Sequence, residues 1–209
     1  MSAILIDIQY LPTLEYFCCL QQADKVIIEA NENYVKQSFR NRTTIVTANG
    51  VSSLSIPVVG GNKKTNIQDI QIDYSQNWIN NHWRAMQSAY GKAPYFEYYA
   101  DYFLQIFNEQ IKTLFLLNKK ILTLCLKFLQ MEIVIGFSES YSHVPEKGII
   151  DLRSVIHPKK SYLNNKHYSS QPYIQLFGNE FVPNMSIVDL LFCEGPNAHN
   201  IIKKSTVIS

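Results

Sequence analysis

The first thirty residues constrain the fold more than any other part of the chain. Residues 4–8 form a short apolar run, residues 16–23 carry apolar side chains at helical spacing after Pro12, and residues 25–29 form a second apolar run. The order strand, helix, strand normally closes as a right-handed crossover that joins two parallel strands. The pattern therefore predicts an α/β sheet, with the loop around Tyr10 at the carboxyl end of the first strand, where ligands of such sheets bind.

A β-hairpin is predicted over residues 43–57. Apolar and polar side chains alternate on both sides of Asn49-Gly50, as they do in paired strands with one buried face. Asn-Gly is typical of a type I′ turn, which requires positive φ at both central positions. Pro57 has no amide hydrogen, so it should end the second strand or lie at a sheet edge.

The rest of the chain continues with strand and helix patterns, without a repeat or a linker that marks a domain boundary. A capping box at Ser186 predicts a helix that ends at Gly195, and Asn118 is a candidate N-cap for a restart of the apolar helix within 111–135. We predict a single α/β domain over residues 1–209, with a mixed β-sheet, an embedded β-hairpin and flanking helices. The other predicted elements are strands at 67–73, 132–137 and 173–177, a helix from Asp73 or Ser75 to Gly91, a helix at 95–107, and an irregular stretch at 138–171.

The charge balance argues against a polyanionic partner. Lys and Arg number 19 and Asp and Glu number 17, so the net charge is 19 − 17 = +2. A charge this small supplies no long-range field for collecting nucleic acid. We therefore expect no nucleic-acid partner, and any anionic ligand must be held by a local cluster of side chains.

No sequence motif points to a metal or a cofactor. The five histidines lack H-x-x-x-H or H-E-x-x-H spacing, and Gly60-Gly61 begins neither a P-loop nor a dinucleotide fingerprint. The four cysteines show no C-x-x-C spacing. Apolar neighbours are typical of reduced, buried thiols, so we expect neither a metal site nor a disulfide framework.

The most apolar stretch, residues 111–135, contains five charged side chains. A membrane-spanning helix needs about 20 nearly uncharged residues, so this stretch is predicted to be a core helix and no transmembrane segment is expected. The first residues lack the basic flank and the continuous apolar run of a secretory signal. A cytoplasmic location is therefore the expectation.

The run from residue 36 to residue 42 is the first candidate binding site. If it is extended, Lys36, Ser38, Arg40 and Arg42 point to the same side, because side chains alternate with period two in a strand. Cations on one face repel each other unless they are solvated, paired or facing an anion, and Arg suits phosphate and carboxylate. The run is either an anion site or, alternatively, an exposed strand face or a set of cations that pair with Asp24, Glu29 or Glu32.

His82 is the candidate general base, since histidine titrates near neutral pH and Trp83 and Arg84 lie beside it. It falls on the apolar side of its predicted helix, where a hydrogen-bonded core histidine is the alternative. At about 100° per residue, Arg84 points away from His82, so one site cannot use both from a regular helix.

Several stretches of the chain occur together in a distinctive order and spacing. They are Gln9-Tyr10-Leu11-Pro12, Glu15-Tyr16-Phe17, Ala23-Asp24, residues 36–42 ending Arg40-Asn41-Arg42, Asn49-Gly50, Leu54-Ser55-Ile56-Pro57-Val58, Trp78, His82-Trp83-Arg84, Ala89-Tyr90 and Pro94-Tyr95-Phe96. In order and spacing these stretches resemble the WbqC-like family of bacterial proteins. The resemblance covers about the first half of the chain and recurs near residues 186–196. One departure is Glu15, where many members have Gly.

The resemblance implies a role in bacterial O-antigen or other surface-polysaccharide biosynthesis, with a proposed transfer of glycine to an amino sugar. The small-molecule ligand would be a sugar nucleotide or an activated amino acid, near the loop of Tyr10 and Glu15. Such a transfer needs cations for a diphosphate, a base for the ammonium proton and donors for the oxyanion. Lys36, Arg40 and Arg42, with Ser38 beside them, are the candidates for the first role, His82 for the second, and Asn41 or Arg84 for the third.

A non-catalytic binding module for a sugar nucleotide or a partner enzyme is the alternative. The two functions differ in their need for a titratable group beside the basic run. If His82 lies in the core, apart from that run, the binding module is favoured.

Overall fold

The computed structural model describes residues 3–61, 63–178 and 180–207. Its centre is a sheet of four parallel strands, β1 (Ala3–Asp7), β2 (Lys25–Glu29), β5 (Val134–Phe137) and β6 (Ile149–Asp151). Their order across the sheet is β5-β2-β1-β6. The register places Ile4 opposite Val26 and Ile6 opposite Ile28, so the β-α-β order predicted from the N-terminal residues is confirmed.

Six α-helices flank the sheet in the described part of the chain. Thr113 caps the longest one by accepting a hydrogen bond from the Leu116 amide, and Ser186 does the same for the Val188 amide, which satisfies amides that have no partner within the helix. The helices are α1 (Leu14–Gln21), α2 (Trp78–Tyr90), α3 (Phe96–Asn108), α4 (Leu114–Phe128), α5 (Ile187–Glu194) and α6 (Ala198–Ser205).

One apolar cluster joins the sheet to the helices. Alternate strand residues such as Ile6 and Ile28 are fully buried in it, together with Phe17 of α1, Ile121 of α4 and Leu190 of α5. Each such side chain contributes about 1.5–3 kcal/mol when it leaves water. This burial fixes the strands, and therefore fixes where their carboxyl ends lie.

The predicted hairpin is confirmed, with β3 (Arg42–Thr47) antiparallel to β4 (Gly50–Ser55) in a two-stranded sheet of its own. Thr47 pairs with Gly50, so the turn centres on Ala48 and Asn49, and Gly50 is the residue with positive φ, at 95°. A type I turn followed by a left-handed glycine gives this arrangement, in place of the expected type I′ turn.

Four local predictions differ from the structure. Residues 67–73 form a 3-10 turn at Ile67–Asp69 followed by isolated bridges in place of a strand. Residues 173–177 form no strand, and the side chains of Tyr173 and Gln175 hydrogen-bond to the buried Asp189. The stretch predicted to be irregular contains β6, and α4 continues through Asn118 without a break.

The α/β class with an embedded hairpin and flanking helices is confirmed. Within the residues that the structure describes, no helix combines the length and the apolar character needed to cross a membrane.

Candidate functional site

Acidic residues end three neighbouring strands of the parallel sheet. Asp7 is the last residue of β1, Glu29 of β2 and Asp151 of β6. Because parallel strands finish at one edge, the three carboxylates collect at the carboxyl edge of the sheet. In open α/β sheets that edge is where small ligands bind.

A buried ion pair lies beside this edge. Arg40 Nε and Nη2 each lie 2.6 Å from an oxygen of Glu32, and Arg40 Nη1 lies 3.6 Å from Asp7 Oδ2. The same guanidinium donates from Nη2 to Ser154 Oγ at 3.3 Å. A two-pronged pair of this kind holds both side chains in one orientation.

A second guanidinium, that of Arg153, bridges two of the strand ends. Its Nη1 lies 3.0 Å from Glu29 Oε2 and its Nη2 lies 2.7 Å from Asp151 Oδ2. It also donates to the carbonyl oxygen of Ser142 at 2.8 Å, and the ring of Tyr141 covers it at 5.0 Å from the centroid. Arg153 therefore links β2, β6 and the loop after β5.

Hydroxyl and amide groups complete the hydrogen bonding of these carboxylates. Ser138 Oγ donates to Glu29 Oε1 at 2.6 Å, and the backbone N–H of Asn31 donates to the same oxygen at 2.8 Å. The Ser154 amide donates to Asp7 Oδ1 at 2.5 Å. Such bonds keep the acidic groups in place without further cations.

A polar cavity of about 470 Å³ opens beside this network. It lies at the switch point of the sheet, where the chain after β1 leads to β2 on one side while β6 joins β1 on the other. We call it the edge cavity. Its lining residues are Glu32, Asn33, Val35, Lys64, Tyr141, His143, Asp151, Arg153 and Ser154.

The electrostatics of the edge cavity follow from burial and pairing. Burial raises the pKa of Glu32, and the hydrogen bonds and charge of Arg40 oppose that rise. Hydrogen bonds from Arg153 lower the pKa of Asp151, while Asp151 in turn raises the pKa of Arg153. Carboxylates and guanidinium groups are thus held in fixed, paired positions around a polar space.

The predicted basic run does not form one face. Residues 36–41 are turns in place of a strand, and Gln37 has φ of 57°. Lys36 is exposed while Ser38 and Arg40 are buried, and Ser38 Oγ donates to the carbonyl oxygen of Val35. Of the carboxylates considered as partners for the run, Glu32 is the one paired with Arg40.

The end of the run supports the hairpin. Asn41 is buried and its amide Nδ2 donates to the carbonyl oxygen of Ile56 at 2.8 Å. Arg42 is half-buried at the first position of β3. The structure places neither Asn41 nor Arg42 among the residues that line the edge cavity.

His82 occupies the alternative position that its helix face allowed, inside the core. Its Nδ1 lies 2.9 Å from the hydroxyl of Tyr10, and its Nε2 lies 3.2 Å from the carbonyl oxygen of Ser55. Because a carbonyl only accepts, Nε2 carries the hydrogen and Nδ1 accepts from Tyr10. Burial lowers the pKa of His82 to about 4, so the ring is neutral at pH 7. Arg84 is exposed on the opposite side of α2.

Glu15 is buried and is held by two amide side chains. Asn165 Nδ2 donates to one carboxylate oxygen at 2.7 Å and Asn184 Nδ2 donates to the other at 2.8 Å. Burial raises the pKa of Glu15, and these two hydrogen bonds oppose that rise. The carboxylate fastens the segment after β6 to the start of α1.

Sequence reasoning missed most of the edge network. Asp7 and Glu29 carried a usable signal, since each follows directly on an apolar strand pattern. Glu32 entered only as a possible partner of the basic run. Arg153 and Ser154 lie in the stretch predicted to be irregular and carried no pattern at all.

No group of three or more His, Cys, Asp or Glu side chains suited to a metal ion occurs within residues 3–61, 63–178 and 180–207. The four cysteines are buried and free. Burial raises the pKa of the Cys18, Cys19 and Cys193 thiols to about 12. Such thiols stay protonated at neutral pH and are poor nucleophiles.

Together, the fold and the site define the class: an open parallel α/β protein with a polar cavity beyond the carboxyl ends of its strands. The chain belongs to the WbqC-like protein family, whose profile matches residues 8–161 and 157–201.

One relative extends this comparison. The Mycobacterium tuberculosis protein Rv1507c, which is uncharacterised, is 27% identical over 224 residues, covering 95% of this chain and 96% of the relative. No solved structure matches this chain significantly.

Proposed function

We propose that the protein is a binding module of bacterial surface-polysaccharide biosynthesis that recognises a sugar nucleotide in the edge cavity. The observation that supports this most is the position of the cavity at the switch point of a parallel sheet, beside side chains that the Arg40 and Arg153 ion pairs hold in place. A site whose polar groups are fixed before the ligand arrives loses little entropy on binding. The surface-polysaccharide role comes from the family resemblance.

The lining of the edge cavity suits a sugar that carries a phosphate. Carboxylate and amide side chains such as Glu32, Asp151 and Asn33 accept and donate hydrogen bonds, as sugar hydroxyls require. Lys64 is exposed at the cavity and supplies a cation for phosphate. A volume of about 470 Å³ lies within the usual range for small-molecule sites.

The position of His82 favours binding over the catalysis first considered. Both of its ring nitrogens are occupied by Tyr10 and Ser55, and its pKa is lowered to about 4. A base of that strength removes few ammonium protons at neutral pH. His82 does not line the edge cavity.

A transferase remains the second candidate function because Glu32 borders the edge cavity and burial raises its pKa. In glycyl transfer the sugar ammonium gives its proton to Glu32, and the amine nitrogen then attacks the glycyl carbonyl carbon. The new C–N bond forms while the bond from the carbonyl carbon to the leaving group breaks. The leaving group departs with that electron pair and takes the second proton of the amine nitrogen, which leaves the amide. Burial favours the protonated carboxyl of Glu32 and the pair with Arg40 opposes it, so this proton transfer requires one Glu32 oxygen to leave Arg40.

Titration calorimetry with a uridine-diphosphate amino sugar, uridine diphosphate and the free amino sugar tests the binding proposal. We expect the nucleotide sugar to bind, and Lys64→Ala to weaken it about tenfold. The matched control is Lys63→Ala, since Lys63 is the exposed neighbour that does not line the cavity. An equal loss in both variants, or no binding to any of the three compounds, would contradict the proposal.

Mass spectrometry distinguishes the two functions. Protein incubated with the amino-sugar nucleotide and an activated glycine should leave the sugar unchanged if the protein only binds. A product heavier by one glycyl group, lost in a folded Glu32→Gln variant, would support the transferase and reject the pure binding module.

A further inference from the structure

The groove between α3 and α4 is a second cavity, larger than the first. Its volume is about 540 Å³ and its floor is apolar, with Ile106 and Leu124 at the base and Leu116 about half exposed. It shares no lining residue with the edge cavity. We call it the helical groove, and its lining residues are Tyr102, Gln105, Ile106, Glu109, Leu116, Lys119, Lys120, Thr123, Leu124 and Lys127.

The spacing of these residues gives the groove a shape that can accommodate a third helix. On α4 they run from Leu116 to Lys127 in steps of three and four. On the other side they run in the same way from Tyr102 of α3 to Glu109, the residue that follows α3. Such steps lie on one helix face. At 1.5 Å per residue the α4 side is about 16 Å long, which is the length of about three helical turns.

The net charge of the groove indicates which charged side chains a docked helix must carry. Its rim holds three lysines and one glutamate, a net charge of 3 − 1 = +2. Glu109 is paired with Lys120, so the charge of Lys119 and Lys127 is left in excess. An occupant with acidic side chains along both borders of an apolar face would complement this rim.

We propose that the helical groove docks a short amphipathic helix of a partner protein, with apolar side chains toward Ile106 and Leu124 and acidic side chains toward Lys119 and Lys127. Insertion of an amphipathic helix into an apolar groove is a common mode of peptide recognition. The exposed half of Leu116 would then be covered, which explains an apolar floor on an otherwise polar helix face.

Fluorescence anisotropy with a labelled helical peptide tests the proposal in the full-length protein. The probe has about twelve residues, with Leu on one face and Glu on both borders, and its counterpart has Lys in place of every Glu. We expect the Glu peptide to bind at least about tenfold more tightly than the Lys peptide. Equal binding of the two peptides, or no binding of the Glu peptide, would overturn the proposal.

A charge exchange locates the binding. The variant Lys119→Glu/Lys127→Glu alters two exposed side chains and should retain the fold by circular dichroism. It should lose the Glu peptide and gain the Lys peptide. The matched control is Lys203→Glu/Lys204→Glu, which makes the same charge change on two exposed residues of α6. A similar loss in the control would show a general charge effect and overturn the proposal.

Binding to lipid vesicles distinguishes a protein partner of the groove from a membrane surface. Sedimentation with phosphatidylglycerol vesicles should leave the protein in the supernatant, as should phosphatidylcholine vesicles. Binding to the anionic vesicles that Lys119→Glu/Lys127→Glu abolishes, without binding of the Glu peptide, would assign the groove to a membrane and reject the helix.

Discussion

The guanidinium of Arg40 lies against the carboxylate of Glu32 in the interior of the protein, with both close contacts at 2.6 Å. The side chains are 1% and 8% exposed. Water therefore screens this pair little, and each charge depends on the other for compensation. The same guanidinium faces Asp7 at the end of β1, so the pair joins the turn after β2 to the sheet edge.

Removing one partner of this pair should destabilise the protein strongly. We expect Arg40→Ala to lower the free energy of unfolding by about 3–5 kcal/mol, because Glu32 and Asp7 would then be buried without a cation. Urea unfolding measures this. The exposed pair of Lys120 and Glu109 is the control, and Lys120→Ala should cost less than about 1 kcal/mol. Similar losses for the two variants would refute the prediction.

Stability should fall in mild acid because of His82. Burial lowers its pKa in the folded state to about 4, from an ordinary value of 6.5. The unfolded chain therefore takes up a proton below pH 6.5 that the folded ring does not. The contribution of the neutral, buried His82 to the free energy of unfolding is fully present above pH 6.5. It is lost as the pH falls toward 4, and the total loss is about 3 kcal/mol.

The variant His82→Asn isolates this effect. Unfolding free energies of both proteins at several pH values from 7 to 4 give a difference curve in which the other titrating groups cancel. We expect the difference to shrink as the pH falls. A difference that stays constant with pH would show that His82 is protonated equally in both states.

Two glycines with positive φ should respond differently to alanine. At Gly195, which ends α5 with φ of 52°, an added Cβ would meet the ring of Tyr95. At Gly50, with φ of 95°, it would meet no atom within 4 Å. Gly50→Ala should cost only the backbone strain of about 1 kcal/mol, and Gly195→Ala about 2–3 kcal/mol more. Thermal unfolding gives the comparison, and equal costs would exclude the ring contact as the cause.

Asn118 should be needed for its hydrogen bond and not for helix initiation. Asn118 lies in the middle of α4, and its Nδ2 donates to the carbonyl oxygen of Arg40 at a distance of 2.7 Å. Asn118→Leu leaves that buried carbonyl without a partner, which costs about 1–3 kcal/mol. Thr123→Ala on the exposed side of the same helix should stay within about 0.5 kcal/mol. Urea unfolding of both variants decides, and a neutral Asn118→Leu would contradict the prediction.

The thiols should be inert in the native protein. Burial raises the pKa of Cys18, Cys19 and Cys193 to about 12, so little thiolate forms at pH 8. We expect Ellman's reagent to detect no rapid reaction in the folded state and four thiols in urea. Rapid native labelling of a thiol would show that its surroundings open to solvent.

The sequence alone determined the local architecture. The apolar runs around Pro12 predicted β1, α1 and β2 and their parallel crossover. This was possible because apolar side chains repeat with different periods in strands and in helices, and a short segment is enough to show which period is present. The alternation about Asn49-Gly50 predicted the hairpin for the same reason. The turn type differed, since the pairing of Thr47 with Gly50 shifts the turn by one residue.

The tertiary structure alone decided which charges meet. Arg153 lies 124 residues from Glu29 in the chain and yet forms an ion pair with it, and no periodicity encodes that contact. The sequence left open whether the basic run faces a ligand or pairs with a nearby carboxylate, and in the structure Arg40 lies in the interior beside Glu32 and Asp7. The spacing of residues within one strand or helix determines which way a side chain points. Its interaction partners depend on how elements distant in the sequence pack together. A buried charge is stable only where this packing brings an opposite charge to it.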